Sequence, residues 1–524
     1  MGLSRINATA ATLTKNRTGN DISPFSGMCV TCIEGCPGLC EIGQSALRGA
    51  EVMYPQPFGT ITAASQKDYP VDLSHFNIMG TAVGAVGIEA NSDKATFPNV
   101  NVEAKVGQNK GIKLRMPIVI PGLGSTNVAK NNWEGLAIGA AISGIILTIG
   151  ENVCGMDEKS EIRKGKVVSS PELERRIKLY KDWQDNYGTI VLQSNVEDTK
   201  LGVLEYGLSK LGVEAVELKW GQGAKDIGGE VKITSLEKAK MLRERGYIVL
   251  PDPMDPEVEE AFKNKTFKEF ERHSRIGMVE KEAFLKRVKK LRDLGAKYVF
   301  LKTGAYRPAD LARAVKFASE AKIDLLTVDG AGGGTGMSPW RMMNEWGVPT
   351  VEIFSLTHQY VSRLAKKGAY VPDIALASGI TLEDQIFKAL ALGAPYTKLV
   401  GMARAPVAAA MVGKTIGNMI EKRKLPPTLE KHGMTIEEIF ISSPDLKHRY
   451  GKKFKQIPPA AIGLYTYIQR LSQGLRQLMC GTRKFALQYI TRDDIAALTK
   501  DASHISGIQY VMDCDKEEVD RILG

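Results

Sequence analysis

Between residues 116 and 401, eight short apolar runs rich in β-branched residues recur, most of them followed by a helical stretch. They lie at 116–120, 145–149, 189–193, 215–219, 297–302, 324–328, 373–377 and 397–400. Runs of this length and composition read as buried strands. Helical periodicity covers 131–142, 201–211, 308–321 and 381–392. A strand followed by a helix and another strand implies parallel pairing, because the crossover needs a dozen or more residues. Eight such units close naturally into a (β/α)8 barrel; a doubly wound open sheet is the alternative. Two segments interrupt the rhythm, 151–187 and the highly charged 226–290, which carries a proline-rich turn at 251–256. The expected division is an N-terminal region at 1–110, the barrel at 111–420, and a helical extension at 421–524 broken by Pro458 and Pro459.

In such a barrel, function sits at the carboxyl ends of the strands. Residues there are Gly122, Gly124 and Ser125 after the first strand, Gly150 and Glu151 after the second, and Gln193 ending the third. The fourth ends in Lys219 with Gln222 and Lys225 beyond, and the fifth in Lys302. The sixth runs into Asp329 and a loop holding Gly330, Gly332, Gly333, Gly334 and Gly336. Ser378 and Gly379 follow the seventh, Gly401 and Met402 the eighth. Without a Cβ, a glycine loop lets the backbone pass close to a flat or charged ligand. Gly379 and Gly401 mark the loops where barrels hold a phosphate. A lysine at the position of Lys302 can stabilise negative charge on a reduced ring or bind a carboxylate. Glu151 and Asp329 would orient an amine, or pair structurally.

Of seven cysteines, four fall in one run, Cys29, Cys32, Cys36 and Cys40, spaced C-x2-C-x3-C-x3-C with Pro37 directly after the third. Thiolates select soft metals. Zinc sites usually bring two short pairs separated by a longer stretch, so this run reads as a [4Fe–4S] binder, with zinc or unliganded thiols as alternatives. Cys154, expected near the cavity rim, is the substitute ligand to watch. Disulfides do not suit a large chain lacking a secretory signal.

The net charge of +11 comes from lysines and arginines interleaved with acids, as in 281–293, which describes solvated helix faces rather than a nucleic-acid surface. The excess also suits an acidic redox partner or anionic substrates. The apolar stretch 136–149 is broken by Gly139, Ser143 and Gly144 and is too short to span a membrane. The expectation is a cytoplasmic protein with no membrane or nucleic-acid partner and with self-association left open.

Three strings carry a family resemblance: Lys219-Trp220-Gly221-Gln222-Gly223-Ala224-Lys225; Asp329-Gly330-Ala331-Gly332-Gly333-Gly334-Thr335-Gly336 with Ser338-Pro339; and Thr357-His358-Gln359. Over residues 110–420 the chain resembles the FMN-binding synthase domain of glutamate synthases, in the stand-alone archaeal-type form. The resemblance implies a (β/α)8 barrel holding FMN, with Gly379 and Gly401 near its phosphate and Lys302 and Gln193 near the ring. Lys219, Gln222 and Lys225 would bind the flavin or a 2-oxo acid. The family joins ammonia to 2-oxoglutarate and reduces the imine with a hydride from reduced FMN, fed through an iron–sulfur cluster.

Members with a cluster place its cysteines after the eighth strand, whereas 400–417 contains none, which gives the N-terminal quartet the electron path. The chain begins Met1-Gly2 rather than with a nucleophilic cysteine, so ammonia is expected from solution or from a separate glutaminase subunit. The electron donor would be a ferredoxin or an NAD(P)H-oxidising subunit. An N-methylglutamate synthase-type subunit, another FMN-dependent amino-acid-forming enzyme, and a non-catalytic electron-transfer subunit are the alternatives. An IMP dehydrogenase-like barrel needs a cysteine after the sixth strand, and 329–350 has none. A 2-hydroxy acid oxidase needs a His/Arg pair at strand ends, and no arginine adjoins His358. His273, His358, His432 and His448 lack metal-ligand spacing, and Trp340 and Trp346 are expected to pack in the core.

Overall fold

The computed structural model describes residues 41–49, 67, 69–107, 111–221, 230–333 and 339–524. Its centre is a closed parallel barrel of eight strands. These are β1 (Ile118–Leu123), β2 (Ile146–Ile149), β3 (Thr189–Ser194), β4 (Ala215–Lys219), β5 (Tyr298–Thr303), β6 (Leu325–Asp329), β7 (Asp373–Ala377) and β8 (Thr397–Gly401). The open-sheet alternative is excluded, because β8 pairs with β1 and β4 with β5.

Alternation along each strand divides the barrel interior into layers. Val119, Ile146, Val191, Ala215, Phe300, Leu325, Ala375 and Leu399 form one apolar cluster. Two residues further along the same strands stand Thr148, Gln193, Glu217, Lys302, Thr327, Ala377 and Gly401, so the interior turns polar toward the carboxyl end. The opposite faces of the strands join the main core beneath the helices, which is why the strands read as continuous apolar runs. At the amino end, a hairpin of Ala104–Val106 and Ile112–Leu114 adds Val106, Ile112 and Leu114 to the inner cluster. It is fastened by Gly107 N–H to Asp373 Oδ2 (2.8 Å) and by Gly188 N–H to Lys113 O (2.8 Å). That end of the barrel is plugged.

Helix α1 (Asn127–Ser143) begins where the Thr126 side chain accepts a hydrogen bond from Ala129 N–H and ends at Gly144, whose φ of 65° is left-handed. The other barrel helices are α2 (Pro171–Lys181), α3 (Val203–Lys210), α4 (Lys281–Asp293), α5 (Pro308–Glu320), α6 (Thr350–Lys366), α7 (Glu383–Leu392) and α8 (Arg404–Glu421). Helix α9 (Pro459–Gly481) lies across α1 and α8. A Cβ at Gly135 would strike Ala460, and one at Gly413 would strike the carbonyl of Pro459, so both glycines set the close approach. Strand Phe76–Ile78 pairs antiparallel with Ile495–Ala497, tying the two flanking regions together.

The two interruptions have structure of their own. Residues 161–169 form a hairpin before α2. The 226–290 segment contains a three-stranded antiparallel sheet, with Phe270–His273 between Glu230–Ile233 and Ile248–Leu250. It encloses a separate small core of Ile233, Leu236, Ala239, Leu242, Tyr247, Val249 and Phe270. No described helix is long and apolar enough to cross a membrane. Trp346, expected in the core, is 42% exposed.

Candidate functional site

The carboxyl end of the barrel gathers most of the sequence-expected residues. Lys219 and Lys302 stand opposite each other in register on β4 and β5. Like charges in that relation repel, and each lysine faces a carboxylate from another loop. Lys219 Nζ lies 2.6 Å from Glu151 Oε1, and Lys302 Nζ lies 3.4 Å from Asp329 Oδ2. Both members of the Lys302–Asp329 pair are buried. Burial alone would raise the Glu151 pKa, but the adjacent Lys219 ammonium holds it below the usual carboxylate range.

Beneath this rim, Gln193 donates from Nε2 to Glu217 Oε1 (2.6 Å), leaving its own Oε1 buried and without a partner among the described residues. Burial raises the Glu217 pKa, with the nearby Lys302 charge opposing it. Glu217 is a site residue that reading strand ends overlooks. Its signal is an acid within the apolar run 215–219, at the alternate position shared with Ala215 and Lys219. Thr327 joins it in the same layer, its hydroxyl also unpartnered.

At most of the expected cofactor glycines an added Cβ would strike the protein's own atoms. A Cβ on Gly122 would come within 2.5 Å of Gln193 Oε1, and one on Gly124 would meet the Glu151 carbonyl. Gly330 packs on Thr350, and a Cβ on Gly333 would collide with the Asp329 carboxylate. Gly401 is filled in by Ala377 and Pro121. Met402 is buried, and its N–H bonds Val119 O (3.0 Å). Gly379 differs: at φ 66° a Cβ there would meet nothing within 4 Å. Beside it, Ser378 sits at φ 155° and shares a 2.7 Å hydrogen bond with Thr350 Oγ1 at the start of α6. Arg404, the first residue of α8, has no hydrogen-bond or ion-pair partner among the described residues and lies just past β8; sequence reading passed over it.

The interruptions buttress this rim. Arg176 of α2, itself buried, donates to Gly124 O (2.9 Å) and Leu123 O (3.3 Å) while stacked over Trp133. Ser125 N–H reaches Glu151 O (3.2 Å). Cys154 is fully buried three residues past Glu151, and its thiol is pushed up to about 12 by that burial, so it is packed rather than poised to ligate metal. His358 lies within α6 with its ring 5.9 Å from Tyr396, just before β8, at the plugged end of the barrel. Burial and the Arg492 charge lower its pKa to about 4. Gln222, Lys225, Gly334 and the quartet Cys29, Cys32, Cys36 and Cys40 lie outside the described residues. No group of His, Cys, Asp or Glu that could hold a metal occurs among the described residues.

Among solved structures, the chain is similar to a flavocytochrome b2 mutant with pyruvate bound (14% identity, covering 82% of this chain and 78% of that one, TM-score 0.46) and to a mandelate oxidase mutant with (S)-mandelic acid (14%, 80% and 86%, 0.43). It is 31% identical over 207 residues to the archaeal glutamate synthase [NADPH] of Methanocaldococcus jannaschii, covering 38% of this chain and 36% of the relative. It is 30% identical over 194 residues to the glutamate synthase large subunit-like protein YerD of Bacillus subtilis, covering 36% and 32%. The chain thus matches about a third of the length of these curated relatives. Residues 271–412, which carry β5 to β8, match the conserved region in glutamate synthase, so this half of the barrel is similar to that region.

Proposed function

We propose that the protein is an FMN-dependent oxidoreductase that makes L-glutamate from 2-oxoglutarate and ammonia. The observation that carries this reading is the pair of lysines, Lys219 and Lys302, set in register at the barrel mouth. Each lysine faces a carboxylate, and the pair can share its remaining N–H donors with an anionic ligand at the mouth. The described residues fit FMN: Gly379 leaves open space beside a helix start, Arg404 supplies an uncommitted cation after β8, and the buried Gln193 carbonyl lacks a donor.

In this reading Gly379, Ser378 and Arg404 hold the phosphate, with Gly401 and Met402 shaping the wall beside it. Gly122, Gly124, Ser125, Gly330 and Gly333 shape the loops around the ring. Bound there, FMN would supply a hydride to the imine of a 2-oxo acid. Lys302, kept in place by Asp329, offsets negative charge at the base of the site. Lys219, with Gln222 and Lys225, binds the substrate carboxylates. Glu151 accepts hydrogen bonds from the amine and from Lys219, fixing both. Gln193 and Glu217 form the polar floor.

Cys29, Cys32, Cys36 and Cys40 would bring a [4Fe–4S] cluster, a reading that rests on their spacing. A ferredoxin or an NAD(P)H-oxidising subunit would supply electrons, and solution or a glutaminase subunit the ammonia. The deciding experiment is anaerobic purification with flavin, iron and sulfide analysis. Dithionite reduction and addition of 2-oxoglutarate with ammonium would follow. Flavin reoxidation with glutamate formation is expected. A protein that binds no flavin, or whose reduced flavin ignores every 2-oxo acid offered with ammonium, would overturn the reading.

A further inference from the structure

The charged 226–290 segment is docked against the loop that carries Glu151. Arg245 donates to the carbonyls of Gly155 (2.8 Å), Asp157 (2.8 Å), Glu158 (3.4 Å) and Ser160 (2.7 Å). Tyr247 fills the space left by Gly155, where any Cβ would collide with its hydroxyl, and that hydroxyl lies 3.5 Å from Asn152 Oδ1. Arg275 holds Glu197 with Nη1 2.9 Å from Oε2, and its N–H donates to the same carboxylate (2.8 Å). Arg272 is buried over the Tyr247 ring, its Nε unpartnered.

Tyr247 and Arg272 also lie near Asp198, a fully buried carboxyl on the short helix after β3. Its Oδ2 accepts the Asn152 N–H (2.9 Å), and its Oδ1 has no partner among the described residues. Asn152 sits in the left-handed region at φ 66°, directly after Glu151, so whatever holds its N–H sets the direction in which Glu151 leaves the turn. The titratable and charged groups facing Asp198 are Glu151 and Cys154 from the β2 loop, and Tyr247 and Arg272 from the inserted sheet.

We propose that Asp198, backed by Arg272 and Tyr247 of the inserted sheet, is a positioning residue that holds the Asn152 turn and thereby aims Glu151 at Lys219. The inserted sheet is in this sense part of the substrate site although none of its described residues is among those at the mouth. The charge on Asp198 is the working element, since a carboxylate grips an N–H more strongly than an amide does. Burial lifts its pKa to about 7, which places loss of that grip within an accessible pH range.

Where it speaks of 2-oxoglutarate, the inference rests on the proposed reaction, so the test has two arms. The first needs no ligand: hydrogen exchange of peptides spanning 150–157 in wild type and Asp198→Asn. Exchange about tenfold faster in that segment, with β5 and β6 unchanged, is expected. Unchanged protection of 150–157 would overturn the proposal. Tyr247→Phe and Arg272→Met carry the same test, with the same expected direction, if Asp198→Asn does not fold.

The second arm follows the flavin absorbance change on adding 2-oxoglutarate. Asp198→Asn should raise KM about tenfold while kcat changes less than about threefold, and the shift should vanish in a Glu151→Gln background. Wild-type KM should fall as the pH rises through about 7, an inflection that Asp198→Asn lacks. A full KM effect persisting without Glu151 would overturn the aiming role. A wild type that ignores 2-oxoglutarate would instead sink the proposed reaction, leaving the exchange arm to decide the positioning.

Discussion

The two ends of the barrel are built from the same eight strands and could hardly differ more. At the amino end, Val106, Ile112 and Leu114 of the hairpin close over Val119, Phe300, Leu325 and Leu399, leaving an apolar plug. One alternation further on, the same strands present Gln193, Glu217, Lys302 and Thr327, all buried. Burying such groups costs stability unless they are paired, and two of them keep unpartnered oxygens. A fold selected for stability alone would continue the apolar layer upward. The contrast separates a half that holds the barrel together from a half that tolerates strain for a ligand.

Four substitutions would break or sharpen that contrast. The largest effect on turnover is expected for Lys302→Ala, a loss of about a thousandfold or more, together with some fall in melting temperature because Asp329 loses its buried cation; normal flavin reduction and turnover would remove the lysine from the mechanism. The largest effect on stability belongs to the other half. Phe300→Ala should cost about 3–5 kcal/mol in denaturant unfolding, while the folded fraction keeps its ligand binding. Glu217→Gln should stabilise the fold, because the native site raises the pKa of this carboxyl. The gain is present above the folded pKa and fades as pH falls, and a stability curve against pH that is unchanged by the substitution would argue against an unfavourable buried charge.

The smallest effect concerns His358 at the plugged end. Its folded pKa is depressed to about 4. The unfolded chain therefore binds a proton that the native one refuses between about pH 6.5 and 4. Stability should fall as pH drops through that window, and His358→Gln should flatten the slope without altering turnover at neutral pH. A change in activity would return the histidine to the site.

The barrel was legible because its signal repeats. Each strand is apolar on both faces and ends at a glycine or a polar residue, and the eight runs match β1 to β8 to within a few residues. Lys219, Lys302, Glu151 and Asp329 were legible for the same reason, since they stand at strand ends. Glu217 and Asp198 were not. One hides inside a strand, and the other acts through an Asn152 amide 46 positions away in sequence. The glycines are ambiguous in a different way. Absence of a Cβ reads alike whether the space is used by a ligand or by Gln193, Glu151 or Ala377, and only the folded packing separates Gly379 from Gly401. The inserted sheet was masked by its charges, because Ile233, Leu242, Val249 and Phe270 come from distant short segments.

The filled amino end, where Ala104–Val106 and Ile112–Leu114 pack on the barrel's inner apolar layer, also bears on traffic. A barrel sealed at one end is a well with a single opening, so molecules cannot pass through it in line. Whatever binds deepest must arrive first and depart last, and a second reactant can only land above it. Steady-state kinetics should accordingly show one obligatory order of addition, and a dead-end analogue of the upper reactant should slow the escape of the lower one.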